Sequence, residues 1–247
     1  MTSAAKTAVP TAAILVIGDE ILSGRTKDSN IGYMADRLTE AGVDLKEARV
    51  VSDDQGAIVD AVNALRTAYT YVFTTGGIGP THDDITADAV AAAFGVALDI
   101  DPRAVAVMKD RYKDGDFNEA RLRMARIPDG GDLIHNPVSR APGFRIGNVF
   151  VMAGVPKIMQ CMFDHVLPQL QGATPVQSVE IETDWKEGDL AGPLGVVQDA
   201  HSAASIGSYP SYGDGGFRTR LVVRGRDADA VSAAVAAVRV MLASEQI

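Results

Sequence analysis

The sequence predicts an α/β protein: a mainly parallel sheet in a three-layer α/β/α arrangement, followed by a smaller α+β unit. Three observations carry that expectation. Short apolar, β-branched runs alternate with amphipathic helical stretches as far as Leu170, the pattern of parallel strands joined by crossover helices. Tyr71-Val72-Phe73-Thr74-Thr75 drives straight into Gly76-Gly77-Ile78-Gly79 and then into a helix. Past a boundary at Pro168 to Pro175 the order changes to β-α-β-β-α. The expected domains are 10–172 and 173–247.

Taken in order, Ala12 to Ile17 reads as a buried first strand. Ile31 to Ala41 reads as a helix stopped by Gly42, because glycine accepts the left-handed conformation past a helix end. Val43 to Val51 is strand-like. Gln55 to Ala68 is helical, with Ile58, Val59, Val62 and Leu65 on one face. Tyr71 to Thr75 is the third strand, and Thr86 is the expected N-cap of a helix to Phe94. Helices are expected near Arg103 to Lys113 and Asn118 to Ala125, then short strands at Leu133-Ile134, Gly143 to Ile146 and Val149 to Met152. Gly147-Asn148 marks a hairpin turn. Lys157 to Leu170 is helical. In the second unit Val176 to Thr183 alternates as a strand, and Gly188 to His201 is read as a helix in spite of Gly192, Pro193 and Gly195. Ser205 to Ser208 and Arg218 to Arg224 flank a glycine-rich loop at Tyr212 to Gly216. Ala228 to Ala243 closes the chain as a helix with one apolar stripe.

Hydrophobic residues make up 47% and charged residues 22% of the 247 residues, as in an ordinary globular protein. The net charge of −9 argues against a broad nucleic-acid surface. It leaves room for a small anionic ligand, since backbone N–H groups and a metal supply local positive potential. Cys161 stands alone in an apolar helical stretch, so no internal disulfide forms. The first residues lack the apolar core of a signal peptide, and no run is long enough to span a bilayer. The expected location is the cytoplasm, with no membrane partner.

The candidate site is the stretch from Thr75 to Thr86. Gly76, Gly77 and Gly79 let the backbone take positive φ and bring N–H groups up to a ligand. The following helix start adds partial positive charge, which suits phosphate. Asp83 and Asp84 are placed to hold a divalent cation that bridges to one. Turn geometry alone also explains the glycines, and helix capping also explains Asp84. The spacing is neither the P-loop nor the dinucleotide fingerprint. Asp19 and Glu20 follow the first strand at the carboxyl end of the sheet, where ligands gather in open α/β folds. Their alternative is solvated loop acids. Asp28, Ser29 and Asn30 read as a helix cap. Ser139, Arg140 and Lys157 offer hydroxyl or positive contacts to phosphate, and His82 an exposed acid or base.

Several motifs together resemble a known family. Ile17-Gly18-Asp19-Glu20-Ile21-Leu22-Ser23-Gly24, Asp28-Ser29-Asn30, Thr74 through Thr86, Asn136-Pro137-Val138, Ala141-Pro142-Gly143-Phe144 and Gly154-Val155-Pro156 carry the likeness. The chain resembles the molybdopterin-binding fold of MoaB/MogA-type proteins and gephyrin's G domain. The resemblance is strongest to the N-terminal domain of the competence/damage-inducible protein CinA and to the similar domain of eukaryotic FAD synthases. It covers about Pro10 to Leu170. Ile206-Gly207-Ser208-Tyr209-Pro210 resembles the segment that follows this domain in those chains. Two positions depart from the pattern: Ala153 stands where Pro is frequent, and Asp88 where Glu is common. The resemblance implies that Asp28, Ser29 and Asn30 face the ligand cleft, that Asp19 and Glu20 contact metal, pterin or ribose, and that Asp84 supports metal-assisted chemistry on a phosphate. It implies metal-dependent cleavage of a nucleotide pyrophosphate such as ADP-ribose or FAD, with magnesium, manganese or cobalt. Asp84, Asp83 and Asp19 are the expected metal ligands. The alternatives are molybdopterin binding or adenylation, and a non-catalytic scaffold. A homo-oligomer is expected, with a dimer favoured.

Overall fold

A computed structural model describes residues 8–111, 117–213 and 216–244. Two compact units divide between Ala173 and Thr174.

The first unit begins with β1 (Thr11–Ile17), a four-residue helix α1 (Asp19–Leu22) and α2 (Asn30–Glu40). Then come β2 (Asp44–Val51), α3 (Gln55–Ala68), β3 (Tyr71–Thr75) and α4 (Thr86–Phe94). A side branch follows: β4 (Leu98–Ile100), α5 (Pro102–Lys109), α6 (Glu119–Arg123) and β5 (Arg126–Pro128). The unit closes with β6 (Asp132–Ile134), β7 (Gly143–Ile146), β8 (Val149–Met152) and α7 (Pro156–Val166). The main sheet has the order β2-β1-β3-β8-β7-β6. β2, β1, β3 and β8 pair in parallel, and β7 runs against both its neighbours.

β1 shows why the sheet is covered twice. Ala13, Leu15 and Ile17 join one core with Ile58, Val62 and Leu65 of α3 and Val90 of α4. Ala12, Ile14 and Val16 join the other with Met34 and Leu38 of α2 and Met159 and Phe163 of α7. A strand apolar at every position from Ala12 to Ile17 has no solvent face, so both sides must be packed. In the second core Phe73 stacks at 5.2 Å from Phe150 and meets Phe163 edge-on at 5.1 Å. Turn chemistry sets the element ends. Asp54 caps α3 by accepting from the Ala57 N–H at 2.8 Å. Gly42 and Gly95 leave α2 and α4 in the left-handed conformation.

Some details differ from the sequence expectation. α1 forms where only a loop is expected, and β4 and β5 make a three-residue pair with no strong local pattern. α5 ends at Lys109, and Lys113 lies outside the described residues. α7 gives way at Leu167–Gln169 to a 3-10 turn holding Pro168, which cannot donate to a continuing helix. Thr86 is the first residue of α4, and Ile85 holds the cap position. Its hydroxyl is used elsewhere, as described below.

The second unit is a three-stranded antiparallel sheet: β9 (Gln177–Thr183), then α8 (Glu187–Ala200), β10 (Ser205–Gly213), β11 (Gly216–Gly225) and α9 (Ala228–Ser244). The sheet order is β10-β11-β9. Leu190 and Leu194 of α8 and Val231, Val235 and Val238 of α9 pack against Leu221 and Val223. The hairpin strands reach Gly213 and Gly216, further than the expected loop allowed. Asp214 and Gly215 of that loop lie outside the described residues.

Candidate functional site

The central strand β3 delivers Gly76 to the carboxyl end of the sheet, between β1 and β8. Gly76 has φ 103° and Gly77 φ 66°. Packing alone demands glycine at both. A Cβ on Gly76 would come within 2.1 Å of the Ile17 carbonyl, and one on Gly77 within 2.2 Å of the Thr86 hydroxyl. Thr86 clamps the turn: its hydroxyl donates to the Gly76 carbonyl at 2.9 Å and its N–H to the Gly77 carbonyl at 3.0 Å. With the carbonyls taken, the N–H groups of Gly77, Ile78 and Gly79 find no acceptor among the described residues. The two readings of the glycines are therefore compatible. They satisfy close packing on one side and leave donors on the other.

Asp84 closes the same loop. Its Oδ2 accepts from the Thr81 N–H at 2.8 Å and the Thr81 hydroxyl at 2.6 Å. Gly79 has room for the carboxylate only because it lacks a Cβ, which would sit 2.6 Å from that oxygen. Asp84 is half-buried, while His82 and Asp83 are exposed.

Across from the loop, Asp19 and Glu20 form the first turn of α1. The Asp19 N–H donates to Asp53 Oδ2 at 2.9 Å. No local motif marks Asp53; only the tertiary contact with Asp19, 34 residues earlier, brings it to this end of the sheet. Burial raises its pKa first, and the charges of Asp19, Glu20 and Asp83 add to the rise, against the bond from the Asp19 N–H. This end of the sheet therefore carries a concentrated negative field.

The third wall is the segment Asn136 to Ala141. Asn136 is buried and organises it. Its oxygen accepts from the Val138 and Ser139 N–H groups at 3.0 and 3.1 Å, and its amide donates to the Ser139 hydroxyl at 2.6 Å and the Ala141 carbonyl at 2.7 Å. Arg140 takes φ 67°, an uncommon conformation for a residue with a side chain. The fourth wall is the Gly154-Val155-Pro156 turn. Asn30 braces it by donating to the Gly154 carbonyl at 2.9 Å, while its own oxygen is buried without a partner.

Between these walls lies a cleft of 520 Å³. Glu20, Gly76, Gly77, Gly79, Asp84 and Ser139 line its polar part. Met124, Ala153, Val155, Pro156 and Ile158 give it an apolar side. Not every candidate reaches it. Thr75 is buried beneath the loop with an unpartnered hydroxyl. Asp28 Oδ1 accepts from the Ile31 N–H at 2.9 Å, which is a capping role. Asp19, Asp83, Arg140 and Lys157 are exposed and stand outside the lining. Among the described residues no three His, Cys, Asp or Glu side chains gather so as to hold a metal ion. Residues the sequence reading missed are Asp53, Arg123 and the apolar side. Only tertiary contact brings them to the glycine loop.

Residues 13–172 match the family described as "Probable molybdopterin binding domain", and residues 175–247 match "FAD synthase, middle domain". A "Probable FAD synthase" of Caenorhabditis elegans is 34% identical, over 94% of this chain and 50% of its own length. A "CinA-like protein" of Citrifermentans bemidjiense is 42% identical, over 80% of this chain and 48% of its own. The crystal structure of the protein CinA from Thermoplasma acidophilum covers 65% of this chain and 98% of its own, at 34% identity and a TM-score of 0.62. The chain thus spans about half the length of the two curated relatives it matches here. It belongs to the molybdopterin-binding domain family, CinA-like in its first unit, with the FAD-synthase middle domain as its second.

Proposed function

We propose that this CinA-like member of the family binds a nucleotide pyrophosphate, of the ADP-ribose or FAD type, in the cleft and hydrolyses it with a divalent cation. The observation that carries the reading is the run of unclaimed N–H groups at Gly77, Ile78 and Gly79 beside the Asp84 carboxylate. Backbone donors fixed in place stabilise charge that grows on a phosphate oxygen, and they need no reorganisation to do so. The apolar side from Met124 to Ile158 suits a flat heterocycle, and the polar end suits the phosphates.

The residues fit a cation of the magnesium type. Both Thr81 bonds fall on Asp84 Oδ2, leaving Oδ1 as the open oxygen. Such an ion takes one or two carboxylates and fills its shell with water and substrate phosphate, so a three-carboxylate cage is not required. Asp84 would hold it from the cleft wall; Asp83 and Asp19, the other expected ligands, stand outside the lining, so water and substrate phosphate would complete the shell. When bound it supplies neutralisation of the pyrophosphate and a lowered pKa for water. The chain's own part is to orient: the loop donors position the phosphates, Thr81 fixes the carboxylate, and Asn136 holds the Ser139 wall.

The test is hydrolysis of ADP-ribose and FAD by purified protein with magnesium, manganese or cobalt, and with chelator. Metal-dependent release of AMP is expected. Tight binding without turnover across the panel would favour the second reading, a molybdopterin-binding, molybdopterin-adenylating or scaffold role, of which membership of the "Probable molybdopterin binding domain" family supports the binding part. The proposal includes a homodimer in the cytoplasm. Among the described residues no helix is long and apolar enough to cross a membrane. A monomer mass independent of concentration would remove the dimer.

A further inference from the structure

Arg123 ends α6 and reaches the back of the glycine loop. Its Nη2 donates to the Asp84 carbonyl over a long 3.5 Å, and its Nε is buried with no partner. Among the described residues no carboxylate lies within ion-pair distance of it. Arg126, three residues on, differs: it makes two bonds of 2.8 Å to the two oxygens of Asp88. Both arginines line a cavity of 10 Å³, room for about one water. Its other wall is formed by Gly77, Gly79 and Asp84, which also line the ligand cleft. The loop is therefore a partition, with a guanidinium on one side and the cleft on the other.

A half-buried cation without an anion is a cost to the fold. Arg66 also lacks a carboxylate, but its Nε and Nη2 are taken by Asn63 and the Ala93 carbonyl, whereas the buried Arg123 Nε has no partner among the described residues. We propose that Arg123 is the fixed positive charge of the phosphate site. It acts through the loop as a positioning residue, anchoring the Asp84 carbonyl and offsetting the charge of a phosphate held on the Gly77 to Gly79 donors. This rests on the reading of the cleft as a phosphate site. In that role its charge completes a site that otherwise presents Asp84 and Glu20 to an anionic ligand.

The experiment compares wild type, Arg123→Met, Arg123→Lys and Arg126→Met. Binding of inorganic pyrophosphate with magnesium, and of ADP-ribose with chelator so that it is not turned over, is measured by titration calorimetry, and Tm is measured without ligand. Arg123→Met should weaken both ligands by about tenfold, the scale of one charge-assisted contact. Its Tm should stay level or rise, because a poorly compensated charge has been removed. Arg123→Lys keeps the charge and should recover part of the affinity. Arg126→Met should lower Tm and leave affinity alone. If wild type binds and Arg123→Met binds as tightly, the role of Arg123 is overturned while the cleft stands. Failure of Arg123→Met to fold, or an equal loss of Tm in Arg123→Met and Arg123→Lys, would also overturn it, by showing a structural role. A wild type that binds neither probe overturns the phosphate site, and this proposal with it.

Discussion

Arg123 and Arg126 stand three residues apart and meet opposite circumstances. Arg126 lies in a region where charges are matched. Asp88 takes both of its terminal nitrogens, and nearby Asp101 caps α5 through the Arg103 N–H at 2.7 Å and pairs with the Arg103 guanidinium at 2.7 Å. The cleft region is the reverse. Among the described residues it holds three unclaimed N–H groups, an orphan oxygen on Asn30, an unpartnered Arg123 Nε and a half-buried Asp53 among like charges. Matched groups contribute to stability, whereas unmatched buried ones cost it and mark the place where a ligand completes the set. Changes in the first region should move Tm, and changes in the second should move binding or turnover.

The largest expected effect tests the border between the two. Gly77→Val forces a side chain at φ 66° and against the Thr86 hydroxyl. It should cost at least about 3 kcal/mol and abolish the folded protein in the circular-dichroism melt. The loss belongs to folding, so this change does not report on ligand contact, although the sequence alone presents it as a binding residue. A folded Gly77→Val protein with normal Tm would break the comparison.

Asp84→Asn sharpens it from the other side. The amide oxygen still accepts both Thr81 bonds, so Tm should hold. Metal-dependent turnover should fall about a hundredfold, near 2.7 kcal/mol of transition-state stabilisation. Equal rates would remove Asp84 from the chemistry. Asp88→Asn is the matched-region counterpart. It leaves Arg126 half-buried without its ion partner and should cost about 2 kcal/mol in denaturant unfolding, with kcat/KM unchanged. A fall in kcat/KM at full stability would move this pair into the site.

The smallest effect is a pH dependence. Hydrogen bonds from Arg103 hold the Asp101 carboxyl below its ordinary range, against the opposing effect of burial. The folded state thus keeps it ionised to lower pH than the unfolded chain does. Its contribution is complete above the ordinary carboxylate pKa of about 4 and is lost as pH falls through the folded value. It should amount to less than about 1 kcal/mol, since Arg103 is largely exposed. The Tm gap between wild type and Asp101→Asn, which keeps the cap oxygen, should narrow from pH 6 to pH 3. A gap that widens would reverse the sign.

Local sequence alone determined the main sheet and its coverings. β3, β7, β8 and α3 carry enough apolar periodicity, bounded by glycine, proline or a cap, to be legible residue by residue. The glycine loop was legible for the same reason: a turn that requires positive φ announces itself in composition. Elements of three or four residues, α1, β4 and β5, were not, because their stability comes from partners rather than from a local pattern. Thr86 shows the limit most clearly. Its position beside a helix start reads as a cap, but the fold brings Gly76 within reach and the hydroxyl goes there. Likewise Asn30 braces a turn 124 residues away, and Arg123 reaches a carbonyl 39 residues earlier. Such long-range contacts are fixed by crossover geometry. Residue type and spacing state what a side chain is able to donate or accept, and only the packed structure decides which of those groups remain unclaimed.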